Sequence, residues 1–159
     1  VAVTPSHAFV AGGELGLQVI DIADPTATPI LGWVPAGECF DVALASHYAH
    51  VTSYGLMVID VANPASPFIA GSLSIPAYTE GVALAGSHAV VAGGLLGTYD
   101  ALYVIDVSDP AAPTLAGQLA LASYGVGVAV SGRYASMSPR SSSPRVSSRS
   151  STSRTPPLR

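Results

Sequence analysis

Three aspartates stand where chemistry would first be sought. Asp21, Asp60 and Asp106 close near-identical apolar runs, and three residues beyond each comes another oxygen-bearing side chain: Asp24, Asn63 and Asp109. Two side-chain oxygens per site could contribute to a cation site. They fall well short of the roughly six to eight ligands that calcium takes. The alternative is structural: each carboxylate accepts the backbone N–H groups of the turn that follows, so that no buried donor is orphaned. Repetition favours this reading, because every repeat must turn its chain whereas a binding site need exist only once. Asp21, Asp60 and Asp106 are therefore expected to be turn residues, with no metal.

The other reactive side chains do not assemble into a catalytic set. His7 and His88 share a repeat position with Tyr48 and Tyr134, and tyrosine does not replace a neutral nitrogen ligand, so zinc is not expected. His50 stands where Phe9 and Val90 stand, and His47 where Ser6, Ser87 and Arg133 stand; both read as isolated polar substitutions. Cys39 lies beside Glu38 and two residues before Asp41, charges that would raise its pKa rather than activate it. There is no Gly-x-Ser-x-Gly elbow and no Gly-x-x-x-x-Gly-Lys loop, and no cofactor is expected.

These residues are carried by a repeat. Leu17-Gln18-Val19-Ile20-Asp21-Ile22 returns as Leu56-Met57-Val58-Ile59-Asp60-Val61 and as Leu102-Tyr103-Val104-Ile105-Asp106-Val107. Each run leads into paired prolines: Pro25 and Pro29, Pro64 and Pro67, Pro110 and Pro113. A short strand, Val1-Ala2-Val3, recurs at Val42, Val82 and Val128, at offsets of 41, 40 and 46 residues. A fixed period near forty residues identifies a repeat architecture before anything else does. Each unit reads as four strands: Val-Ala-Val/Leu, then His/Tyr-Ala-x-Val, then Leu-x-Val-Ile-Asp, then the stretch after the prolines (Ile30 to Val34, Phe68 to Leu73, Thr114 to Leu119). The third strand is apolar on both faces, so both must be covered. Val19, Ile20, Val58, Ile59, Val104 and Ile105 are the expected core. Four-stranded antiparallel units stacked on copies of themselves meet that demand, which is the arrangement of propeller blades. The fold class is all-β, a partial β-propeller.

The motif Leu-x-Val-Ile-Asp-Ile/Val-x-Asp/Asn-Pro-x-x-Pro, after Tyr-Ala-x-Val and before Val-Ala-Val, resembles the LVIVD repeat over residues 1 to 137. The resemblance implies propeller blades, at about 1–36, 37–78 and 79–122 with an incomplete 123–137, and carries over no catalytic residues. It also implies a secreted or surface protein and hence an extracytoplasmic location. Three blades and part of a fourth leave open faces, so further blades or self-association are expected to close the ring. The chain reads as a fragment or processed piece.

Charge and composition narrow the partners. Residues 1–139 hold ten acids and one arginine, a net −9; five later arginines bring the chain to −4, with no lysine. A body so acidic cannot neutralise phosphates, which argues against nucleic acid. No apolar run approaches a membrane span. From 138 to 159 nine residues are Ser and five Arg, a composition that does not offset its ordering entropy. This tail reads as disordered, and as an out-of-frame or truncated end rather than an RNA-binding or phosphorylated one.

Loops between the second and third strands share a propeller face with the loops between blades. On that face gather Glu38, Phe40 and Asp41; Tyr78 and Glu80; Tyr124; Glu14 and Tyr54; and an insertion, Gly94 to Ala101, carrying Tyr99 and Asp100. Acids beside aromatics suit a protein or carbohydrate partner, and ordinary loop variation that keeps the fold soluble would give the same composition. A binding or scaffold module is the leading expectation, with Glu38, Asp41, Tyr78, Glu80, Tyr99, Asp100 and Tyr124 as contact residues. A hydrolase or lyase using Glu38, Asp41 and Glu80 is the alternative, and a non-functional fragment the third reading.

Overall fold

The computed structural model describes residues 1–95, 98–121 and 125–139. The expected strands form, and each unit folds into one antiparallel sheet. The first blade holds β1 (Ala2–Val3), β2 (His7–Ala11), β3 (Leu17–Asp21) and β4 (Ile30–Val34). The second holds β5 (Val42–Ala45), β6 (Tyr48–Ser53), β7 (Gly55–Asp60) and β8 (Phe68–Ser74). The third holds β9 (Tyr78–Ala85), β10 (His88–Leu95), β11 (Thr98–Asp106) and β12 (Thr114–Ala120). A two-stranded sheet, β13 (Gly125–Ser131) with β14 (Tyr134–Pro139), begins a fourth. No helix occurs among the described residues, so none is long and apolar enough to cross a membrane.

Register explains the core. The alanine of each second strand lies opposite the isoleucine of the third: Ala8–Ile20, Ala49–Ile59 and Ala89–Ile105. Leu17 and Val19 face forward onto the second blade, where Ile59 and Val61 face back, in one core cluster with Phe9, Val34, Ala49 and Val51. Leu56 and Val58 face forward onto Tyr103, Ile105 and Val107 in a second cluster. Of the six expected core residues, Val19, Val58, Ile59 and Ile105 are fully buried. Ile20 and Val104 are only half-buried. Ile20 faces backward from the first blade, where the described residues place no sheet. Val104 faces forward onto a blade with only its two inner strands.

Two further expectations need correction. Most of the insertion Gly94 to Ala101 is strand rather than loop: β10 and β11 run on past the other hairpins, pairing Gly93 with Ala101 and Leu95 with Thr98. In blades one and two the same turn is made by glycine, Gly16 (φ 75°) and Gly55 (φ 124°), where a Cβ would strike the carbonyls of Val34 and Leu73. Blade three has Ala101 at that position, and the strands extend instead of turning there. The second correction is that β14 continues to Pro139, past the end expected at 137 for the incomplete blade and into the first two residues of the expected tail. Residues 140–159, most of the expected tail, lie outside the described residues.

Candidate functional site

The three aspartates act on their own turns. The amides of Ala23, Ala62 and Ser108 donate to Oδ1 of Asp21, Asp60 and Asp106 at 2.9, 2.9 and 2.8 Å. The partner positions do likewise: Thr26, Ala65 and Ala111 amides donate to Oδ1 of Asp24, Asn63 and Asp109 at 2.8, 3.1 and 3.0 Å. The hydrogen bonds from Ser108 hold the Asp106 carboxyl below its ordinary range, and those from Thr26 do the same for Asp24. Among the described residues no three His, Cys, Asp or Glu side chains gather as a metal set.

Asp41 sits between blades rather than in open solvent. Its Oδ1 takes the Val42 amide at 2.8 Å, and its Oδ2 takes the Val82 amide of β9 at 3.1 Å. Its backbone pairs with Thr52: the Asp41 amide donates to the Thr52 hydroxyl at 2.9 Å, and the Thr52 amide to the Asp41 carbonyl at 3.0 Å. The Oδ2 bond thus ties the second blade to the third, while the Oδ1 bond holds the start of β5.

Beside it lies an aromatic group that the topology assembles from three loops. Tyr54, at the β6–β7 turn, and Tyr78, which opens β9, have ring centres 4.7 Å apart and hydroxyls 3.1 Å apart. Phe40, from the loop before β5, meets the Tyr78 ring edge-on at 6.2 Å. Tyr54 remains 53% exposed. Its hydroxyl pKa is raised, chiefly because it donates its proton to Tyr78, with burial, the Tyr78 charge and the nearby Glu38 carboxylate acting in the same direction. Behind the rings is Thr79, fully buried. Its hydroxyl receives the Ser53 amide at 3.2 Å and lies 3.0 Å from the Ser53 carbonyl and 2.5 Å from that of Gly55.

The structure therefore brings Glu38 and Tyr78 together with Tyr54 and Phe40. It assigns Asp41 to the joint between blades. Glu80, in β9, is half-buried. Asp100 lies within β11, where its carbonyl receives the Leu121 amide at 2.8 Å and its Oδ1 is buried without a partner. The Tyr99 side chain and all of Tyr124 lie outside the described residues. Thr79 escaped the sequence reading because Cys39 and Gly125 hold its repeat position, so no shared chemistry marks it. Cys39 is buried, and it is burial that pushes its thiol up to about 11.

Four-stranded antiparallel blades stacked face to face, with aromatic side chains and Glu38 gathered on the loops at one end, define a propeller-type repeat protein. The family model of the LVIVD repeat matches three times, at residues 1–32, 36–74 and 76–120. The chain belongs to that family. Comparison with curated proteins gives no match.

Proposed function

We propose that this chain is a non-enzymatic binding or scaffold module, acting outside the cytoplasm, that holds a protein partner on the loop face around Tyr54 and Tyr78; a carbohydrate is the second partner class. The observation that carries the reading is the Tyr54–Tyr78–Phe40 group with Glu38 beside it. Rigid aromatic rings that stay accessible while packed on one another offer large contact area at little entropic cost. The hydrolase or lyase reading needs free carboxylates, and Asp41 has both oxygens on backbone amides. That supports binding over catalysis.

The test is capture of proteins from extracellular fluid, and of a glycan panel, on the immobilised chain and on a Tyr54→Ala/Tyr78→Ala variant. A specific ligand should be held by the wild type and lost at least about tenfold by the variant, equivalent to 1.4 kcal/mol. Binding that survives both truncations overturns the reading.

A further inference from the structure

The turn aspartates recur because every blade needs them; the rings around Tyr54 meet only once. Tyr54 stands where the first and third blades have Gly13 and Gly94. Tyr78 stands where Glu38 and Tyr124 stand, and Phe40 where Glu80 and Val126 stand. All three rings lie beside joints that are complete on both sides. Tyr54 adds little to either core: its ring is 53% exposed and packs on Tyr78. A group that one blade carries and its neighbours do without has the distribution of a site rather than of a fold requirement.

What this group offers is almost all electron-rich. The ring faces carry the negative side of the aromatic quadrupole. The Glu38 carboxylate lies close enough to act on the Tyr54 hydroxyl. The Tyr54 proton is donated to Tyr78 across 3.1 Å, which leaves the Tyr54 oxygen open as an acceptor. Among these four side chains the one donor still open is the Tyr78 hydroxyl. Asp41 nearby adds no free acceptor, since both its oxygens hold amides. A hollow of about 190 Å³ opens beside Tyr54, lined also by Met57, Ser72 and Leu73, and gives the surface depth. Behind it stands a body of net charge −9 over residues 1–139, with Arg133 as its one basic residue.

The complement of such a group is positive, rich in donors, without acceptors, and flat enough to lie on a ring. Guanidinium has all four properties. An ammonium would satisfy Glu38 but has no plane to stack. A sugar needs donors as well as acceptors, and here they are scarce.

We propose that this site takes an arginine side chain of a basic protein partner, its guanidinium lying on the exposed Tyr54 ring and pairing with Glu38. The proposal rests on the reading of this loop face as the binding surface and gives that surface its chemistry. The net charge draws the partner in, and the rings with Glu38 fix where its arginine lands.

The probe is a Gly-Arg-Gly-Arg-Gly peptide blocked at both ends, alongside versions with lysine or with neutral, isosteric citrulline in place of arginine. Each is titrated into the full chain while the tyrosine ring resonances are followed by NMR. The arginine peptide should shift the Tyr54 and Tyr78 rings saturably, the lysine peptide should bind more weakly, and the citrulline peptide should not bind. Glu38→Gln should weaken arginine binding at least about fivefold without moving the melting temperature. Asp24→Asn removes the same charge elsewhere and keeps its turn bond, as Asn63 does, so binding should be unchanged. Every variant keeps the five arginines of residues 140–159, so their competition is constant. Equal binding of citrulline, no saturation, or an equal loss with Asp24→Asn overturns the proposal, the last because net charge alone would then draw the peptide. A captured partner lost with Tyr54→Ala/Tyr78→Ala, yet indifferent to Glu38→Gln and to blocking of its arginines with an α-dicarbonyl reagent, overturns the arginine and leaves the binding surface standing. A partner indifferent to both tyrosines removes the surface itself.

Discussion

The two complete joints of this molecule are built at one repeat position from different chemistry. Between the first and second blades, Cys39 exchanges backbone bonds with Gly13, each 3.0 Å, while its thiol reaches only to the Ala36 carbonyl at 3.7 Å. Between the second and third, Thr79 uses its side chain, holding the Ser53 amide and the carbonyls around Gly55, and Asp41 adds a carboxylate bond to Val82. Both joints share an apolar core, to which the first adds backbone bonds at this position and the second adds side-chain polar groups without substitutes. Equal burial therefore conceals unequal tolerance. A backbone ladder survives side-chain changes, whereas a buried hydroxyl that satisfies several groups does not.

The sharpest break in that comparison is Thr79→Val. Shape is kept, but the buried Ser53 amide loses its acceptor. Unfolding by denaturant should show a loss of about 2–3 kcal/mol, against less than about 1 kcal/mol for Cys39→Val, where only a thiol is exchanged for a similar apolar volume. Equal losses would remove the distinction.

A smaller effect separates filled from half-filled joints. Val58 and Val104 are the same residue at the same register, buried fully in one case and half in the other. Val58→Ala should cost about 2 kcal/mol by the same measurement and Val104→Ala roughly half that or less, since less surrounding structure is left holding a void.

The smallest effect is a pH dependence confined to the second joint. His50 is 3% exposed, faces the third blade beside Val58, and its Nδ1 has no partner. Desolvation lowers its pKa below the ordinary 6.5, opposed by the weaker influence of a backbone bond to Ala43. A base whose folded pKa is depressed has its full stabilising share above its unfolded value and loses it as pH falls through about 6.5, because the unfolded chain takes up the proton first. The melting temperature should fall on acidification, with a slope no steeper than about 1.4 kcal/mol per pH unit from this one group. In His50→Phe, which copies Phe9, that component should be absent.

What the sequence revealed follows from what repetition can encode. Blade number, strand order and the turn aspartates were legible because each recurs three times in register. The half-exposure of Ile20 and Val104 was not, since a strand's own pattern states that a face is apolar without naming what covers it. Asp41 read as a surface acid because its partner, the Val82 amide, lies a full repeat away in sequence. The insertion read as loop because extra residues in a hairpin look alike whether they bulge or prolong the strands. The Tyr54–Tyr78 pair was half legible: topology put both on one face, and only the geometry brought their rings into contact.

Cys39 has a use unrelated to holding the joint closed. It is the chain's single cysteine, it is buried, and its thiol is held up near 11. A thiol-modifying reagent can reach it only when that part of the molecule transiently comes apart, so labelling proceeds at the intrinsic thiolate rate multiplied by the fraction of time spent open. The first joint thus carries its own clock. Its rate reports local opening there without contribution from the polar joint next door, and a comparison with the global unfolding free energy would tell whether the blades separate one at a time or all together.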